Sequence, residues 1–264
     1  HDIHFKGGCL LGENFGWAST MLSYSSRPAD PALRPDWRED WLRRLEGNPW
    51  LAPRWAAHQT RDAYWRHGSV CEDWSRLQVP ILAFGGWADG YMNMVPALIE
   101  HAPGPVRGII GPWVHLYPHM GVPGPRIGFL TEALGWWDRW LKGRGEVEAG
   151  LHRYVQHSAP PDACASLRPG HWIGPGDLAV QKLTLGADLA GALPARIATA
   201  QHLGLGAGEY FPTGDHGEMP GDQAADDALS VCFDGPVLAA PLTLAGAPVL
   251  RVRLTPDQPR AHLI

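Results

Sequence analysis

Two short segments constrain this chain more than any others: Phe84-Gly85-Gly86-Trp87-Ala88-Asp89-Gly90-Tyr91 and Gly111-Pro112-Trp113-Val114-His115. Each closes an apolar run of strand character, Val79 to Phe84 and Val106 to Ile110, and then breaks into a Gly/Pro/Trp turn. Each turn offers one ionisable side chain, an acid first and an imidazole second. In open α/β sheets, ligands and chemistry gather at the carboxyl ends of the strands. Two successive strand ends carrying Asp89 and His115 therefore predict an α/β sheet with a reactive edge.

The pattern around these segments is strand, turn, helix, repeated. Val79-Pro80-Ile81-Leu82-Ala83-Phe84 reads as a parallel strand covered on both faces. Met94 to His101 reads as a crossover helix. A longer helix from Gly128 to Leu141 has apolar residues at 129, 130, 133, 134, 137 and 141, then stops at Lys142-Gly143. Two βα units in series imply an α/β sheet. Before residue 77 the pattern is helical. Trp37, Trp41, Leu42 and Leu45 repeat at helical spacing, and a second stretch runs from about Trp55 to Trp65, with Pro-rich joints between. Beyond residue 150 come short β-rich runs: His152 to His157, Val180 to Leu185, Ser230 to Phe233, Pro241 to Leu244 and Pro248 to Leu254. Their Gly/Pro-rich spacers predict a β-sandwich, and residues 190–228 read as long loops.

Composition narrows the function. A formal net charge of -5 with no basic block argues against a nucleic-acid partner. No apolar run approaches the roughly 18 residues of a membrane span. Cys9, Cys71, Cys164 and Cys232 form no Cys-x-x-Cys, which reads as free thiols in a cytoplasmic protein. Twelve of the 13 tryptophans lie at or before Trp140, so an architectural boundary is expected soon after it.

An acid followed by a histidine on consecutive strand ends matches the last two members of an α/β-hydrolase triad. The first member, a Gly-x-Ser-x-Gly elbow, does not occur in these residues. The chain further resembles the cocaine esterase-like acyl hydrolases (CocE/NonD), a family that includes the X-prolyl dipeptidyl peptidases and α-amino-acid ester hydrolases. The resemblance rests on Leu11-Gly12 through Gly16-Trp17-Ala18, on the Asp89 and His115 motifs 26 residues apart, and on Pro236 to Leu254. It implies a helical cap region over 1–77, then the C-terminal part of an α/β-hydrolase core over 78–148. An incomplete jelly-roll β-sandwich over 149–264 would follow.

The resemblance also implies that the catalytic serine lies upstream of His1, so the chain by itself is expected to be inactive. It makes Asp89 and His115 catalytic, and Trp17 and Tyr91 candidates for an aromatic substrate pocket, with core packing the competing role for both. Trp87 and Trp113 read as residues that stiffen the two turns.

Other clusters carry less. His119 stands four residues after His115, but Pro118 between them argues against a helical zinc pair, and no metal or cofactor is expected. Asp215, His216 and Glu218 read as a solvated loop cluster. The expected activity is a serine hydrolase acting on a small ester, an amide or a short peptide. The alternative is a ligand-binding homologue without turnover. No nucleic-acid or membrane partner is expected, and self-association is left open.

Overall fold

The computed structural model describes residues 4–6, 8–176 and 178–259. Its centre is a four-stranded sheet in the order β3-β4-β5-β6. Strands β3 (Ile81–Gly86), β4 (Val106–Gly111) and β5 (Gly150–Gln156) run parallel, and β6 (Gly170–Ile173) returns antiparallel against β5. The β3–β4 register pairs Ile81 with Val106 and Gly86 with Gly111, so both strands end level.

Helix α5 (Met94–His101) connects β3 to β4 and lies on the sheet over two glycines. A Cβ at Gly108 would come within 2.6 Å of Val95 Cγ1, and one at Gly85 within 3.0 Å of Val95 Cγ2. The absent side chains let buried Val95 approach the strand backbones. Helix α6 (Phe129–Lys142) lies between β4 and β5 and ends on Gly143 at φ 65°, a left-handed C-cap that glycine adopts without steric cost.

The N-terminal region is helical, as the sequence pattern predicts, apart from a short hairpin of β1 (Phe5–Lys6) and β2 (Cys9–Leu10). Helices α1 (Asn14–Ser25), α2 (Trp37–Gly47), α3 (Leu51–Ala56) and α4 (Ala63–His67) follow. The stretch expected from Trp55 to Trp65 is divided into α3 and α4, and Asp62 caps α4 by accepting a bond from the Tyr64 N–H at 2.9 Å. Phe5, Ala18, Ala52, Trp55 and Trp65 form the core of this region. Its tryptophans also anchor through their indole N–H groups: Trp65 donates to the His58 carbonyl at 2.8 Å, and Trp41 to Ser26 at 2.7 Å.

Three expectations from sequence change. First, β5 and β6 lie beyond residue 149, where a sandwich is expected, yet they extend the α/β sheet. Arg107 to Ile110 of β4 pair with Gly150 to Arg153, continuing the parallel ladder. Second, the runs expected as sandwich strands at 180–185, 230–233, 241–244 and 248–254 form none. Among the described residues of this part only the isolated bridges Leu185–Leu189 and Ala190–Asp234 appear. An apolar alternation becomes a strand only where a neighbour completes its ladder. The apolar end His262-Leu263-Ile264 lies outside the described residues.

Third, β3 is the outer strand of the sheet and only half-buried, although its sequence reads as covered on both faces. The apolar face expected on α6 is likewise exposed. Leu130, Leu134, Trp137 and Leu141 are on the surface, while Trp136 on another face is buried.

Trp113 occupies the tightest site in the fold. It is 1% exposed, its Nε1–H donates to the Pro125 carbonyl at 2.8 Å, and Gly111 and Gly121 flank its ring. A Cβ at either glycine would fall within 2.4 Å of indole atoms. Trp113→Ala is expected to cost about 3–5 kcal/mol in urea unfolding, the usual range for emptying an aromatic core site. Trp137→Ala on the exposed face should stay within about 0.5 kcal/mol. Equal losses from the two would show that Trp113 is not the packing centre.

Candidate active site

The two strand ends are joined past the sheet. The Trp87 N–H donates to the Gly111 carbonyl at 2.9 Å, and the Ala88 N–H to the Trp113 carbonyl at 3.1 Å. This close approach requires glycine at 86, where a Cβ would sit 1.9 Å from the Trp113 carbonyl oxygen. Trp87 and Trp113 brace the turns, as their positions suggest. The Trp87 indole donates to the Tyr154 carbonyl at 2.7 Å, tying the acid turn to β5.

From these turns Asp89 and His115 meet. Asp89 Oδ2 accepts a bond from His115 Nδ1 at 2.9 Å. Asp89 Oδ1 accepts from the Tyr91 N–H at 2.9 Å, an Asx turn that fixes the carboxylate's orientation. The carboxylate is mostly buried, with 11% of its side chain exposed, whereas the imidazole is 45% exposed. Because a carboxylate only accepts, the bonded Nδ1 carries the hydrogen and Nε2 is left as the basic nitrogen. Asp89 and His115 both line a cleft of about 590 Å³, together with Phe84, Leu116, Tyr117 and Phe129. No serine, threonine or cysteine is among its lining residues.

Tyr91 packs edge-on against the His115 ring, with centroids 5.4 Å apart. Trp17 sits on α1, 39% exposed, and lines neither of the two clefts that border Asp89. His119 stacks on Phe129 rather than facing His115.

A third segment completes the site, and it comes from the region read as loop. The His115 N–H donates to the Pro212 carbonyl at 3.0 Å, and Phe211 lies 4.3 Å from the imidazole centroid. Gly90 makes room for this segment, since a Cβ there would lie 2.9 Å from the Tyr210 carbonyl. Val114, Ala165 and Met219 pack together beneath it. The adjacent aromatics Tyr210-Phe211 in an Ala/Gly/Asp-rich stretch are the one sequence signal that could have drawn attention here. The cluster Asp215, His216 and Glu218 is also not simply solvated. Glu218 accepts bonds from the N–H groups of Thr213, Gly214 and Asp215 at 2.7–2.8 Å, and His216 Nδ1 lies 3.4 Å from Cys164 Sγ.

Glu13, just before α1, is a further residue the sequence reading did not single out. Burial, and then the charge of Glu13, raise both the Tyr91 and Tyr210 phenols, so both stay protonated at neutral pH. The Glu13 carboxyl is itself raised by burial, against an opposing effect of His4. Among the described residues, no three His, Cys, Asp or Glu side chains cluster as metal ligands, and no helix is long and apolar enough to cross a membrane.

A comparison with known protein families finds a match. Residues 1–117, ending just past His115, match the X-Pro dipeptidyl-peptidase family, S15. That match supports the resemblance drawn from the Asp89 and His115 motifs, an α/β-hydrolase-type fold, and hydrolase function of the serine-peptidase kind. No curated protein matches the chain.

The Glu218 clamp has a pH signature. Burial pushes its carboxyl up, but the N–H groups of Asp215, Gly214 and Thr213 together outweigh that and hold it below its usual 4.5. A carboxyl lowered on folding contributes stability that is complete above its unfolded value and is lost as pH falls through the folded one. The amide resonances of Thr213, Gly214 and Asp215 should therefore titrate together with a midpoint below 4.5. Independent titrations, or a midpoint at the ordinary value, would show that the clamp does not form.

Proposed function

We propose that the chain carries the acid and base of a serine hydrolase of the X-prolyl dipeptidyl-peptidase and acyl-ester hydrolase group. The observation that carries this reading is the Asp89–His115 hydrogen bond on two adjoining strand ends, beside an open cleft. The nucleophilic serine is supplied by sequence outside these 264 residues, since neither the chain's sequence nor the cleft lining offers one in an elbow. His115 Nε2 takes the serine proton as the hydroxyl attacks the acyl carbon. Asp89 holds the tautomer and stabilises the imidazolium that forms. His115 then returns the proton to the leaving group, and a water repeats the sequence on the acyl-enzyme.

In this reading the helices of residues 1–77 act as a cap, Tyr91 and Phe211 are the aromatic surroundings of His115, and Trp17 has no part in the pocket. Glu13 is the residue on which the peptidase and ester ends of the range can be told apart. A substrate with a free amino terminus needs an anion near the cleft, and Glu13 is a carboxylate whose charge reaches Tyr91 and Tyr210. An ester hydrolase has no such need.

In the protein that includes the nucleophile, His115→Ala should abolish acylation while leaving the melting temperature nearly unchanged, because the imidazole is half-exposed. Asp89→Asn should lower turnover on the order of 10⁴-fold through the wrong tautomer. Pre-steady-state acylation by a chromogenic ester reads both, and near-normal acylation in His115→Ala removes the triad reading.

Glu13→Gln should raise KM for an X-Pro substrate with a free amino terminus, with little change for its N-acetylated counterpart. Equal effects on the two substrates would assign the protein to ester or amide hydrolysis without amine recognition.

A further inference from the structure

Arg153 stands out as a buried cation without a counter-charge. It lies on β5 in a register row that is otherwise apolar or bare: Gly85, Ile110, Arg153 and Ile173. The residue is 8% exposed, and its Nε has no hydrogen-bond partner. Among the described residues no Asp or Glu lies within ion-pair distance of it. A buried charge left unpaired is strongly destabilising. An anion in the adjoining cavity would supply the missing counter-charge.

The surroundings point the same way. Arg153 lines a cavity of about 750 Å³ between the β5–β6 pair and the segment Pro241–Gly246. The lining holds no acidic side chain but includes His157, His171, Ser158 and Thr243. His157 Nε2 and His171 Nδ1 lie 3.1 Å apart, one donating to the other, which leaves further ring nitrogens for a ligand. Trp87 borders this cavity and also a second cleft that touches Asp89 but not His115.

We propose that this cavity is a binding site for a small oxyanion, a carboxylate or a phosphoryl group, held by the Arg153 guanidinium with the outward N–H of the His157–His171 pair as a further donor. A guanidinium presents paired N–H groups in a fork that matches two oxygens of one carboxylate or phosphate. Histidine and hydroxyl donors complete a lining that accepts negative charge and offers none. The site is independent of the hydrolase reading, because neither Asp89 nor His115 takes part.

The test titrates the 264-residue chain with inorganic phosphate and, separately, with acetate and succinate, at ionic strength held constant with chloride. Histidine-ring NMR resonances and the melting temperature are followed. A saturable shift of the His157 and His171 rings, with a saturable rise in melting temperature, is expected. Response to phosphate alone assigns phosphoryl groups; response to acetate or succinate alone assigns carboxylates. Arg153→Met should abolish both responses, yet melt no lower than the parent without anion, because it removes an unpaired buried charge. The exposed pair His157→Gln/His171→Gln provides a second variant that leaves the buried row intact. It should weaken binding several-fold, read by melting temperature. Absence of any saturable response in the parent overturns the proposal, as does undiminished binding in the double variant or an unchanged response in Arg153→Met.

Discussion

The β3–β4 ladder and its continuation beyond the sheet underlie everything else at this site. Gly86 pairs with Gly111, and the bonds from Trp87 to Gly111 and from Ala88 to Trp113 carry the pairing into the two turns. Asp89 and His115 can then reach one another across 2.9 Å. The glycines are required by contact rather than by backbone conformation. At 86 a side chain would strike the Trp113 carbonyl, and at 111 and 121 it would strike the Trp113 ring. Buried Trp113 thus holds the histidine turn from inside while the acid turn is laid against its backbone.

The imidazole is held from a second direction by a segment distant in sequence. Pro212 accepts the His115 N–H, and Phe211 and Tyr91 enclose the ring from two sides. The Glu218 clamp on residues 213–215 and the Val114–Ala165–Met219 cluster fix that segment. Aromatic contacts on a half-exposed histidine limit its orientations without removing it from solvent, which suits a group that must exchange protons.

Residues 150–173 show how one stretch of alternation can serve either of two architectures. Read alone, the run from His152 to His157 fits a sandwich strand as well as an α/β strand, because side-chain alternation is the same in both. Its partner decides. Ile109 and Ile110 of β4 lie beside it, and the parallel ladder places Arg153 in a buried apolar row. The isolated charge, and the oxyanion cavity inferred from it, exist only because of that pairing.

Local order determined much of what was legible in the chain. Helix α5 and helix α6 with its glycine stop follow from residues close in sequence, as do the helical character of residues 1–77 and the two turns carrying Asp89 and His115. Periodicity, capping and turn chemistry act over a few residues, so they can be read there. Tertiary structure alone decided which faces are covered. It attached β5 to the α/β sheet and brought Phe211 and Pro212 to the site. Those outcomes depend on partners well separated in the chain, as with Ile110 and Arg153 or His115 and Pro212. A pattern specifies that a face seeks burial, but the surface that meets it is set by packing.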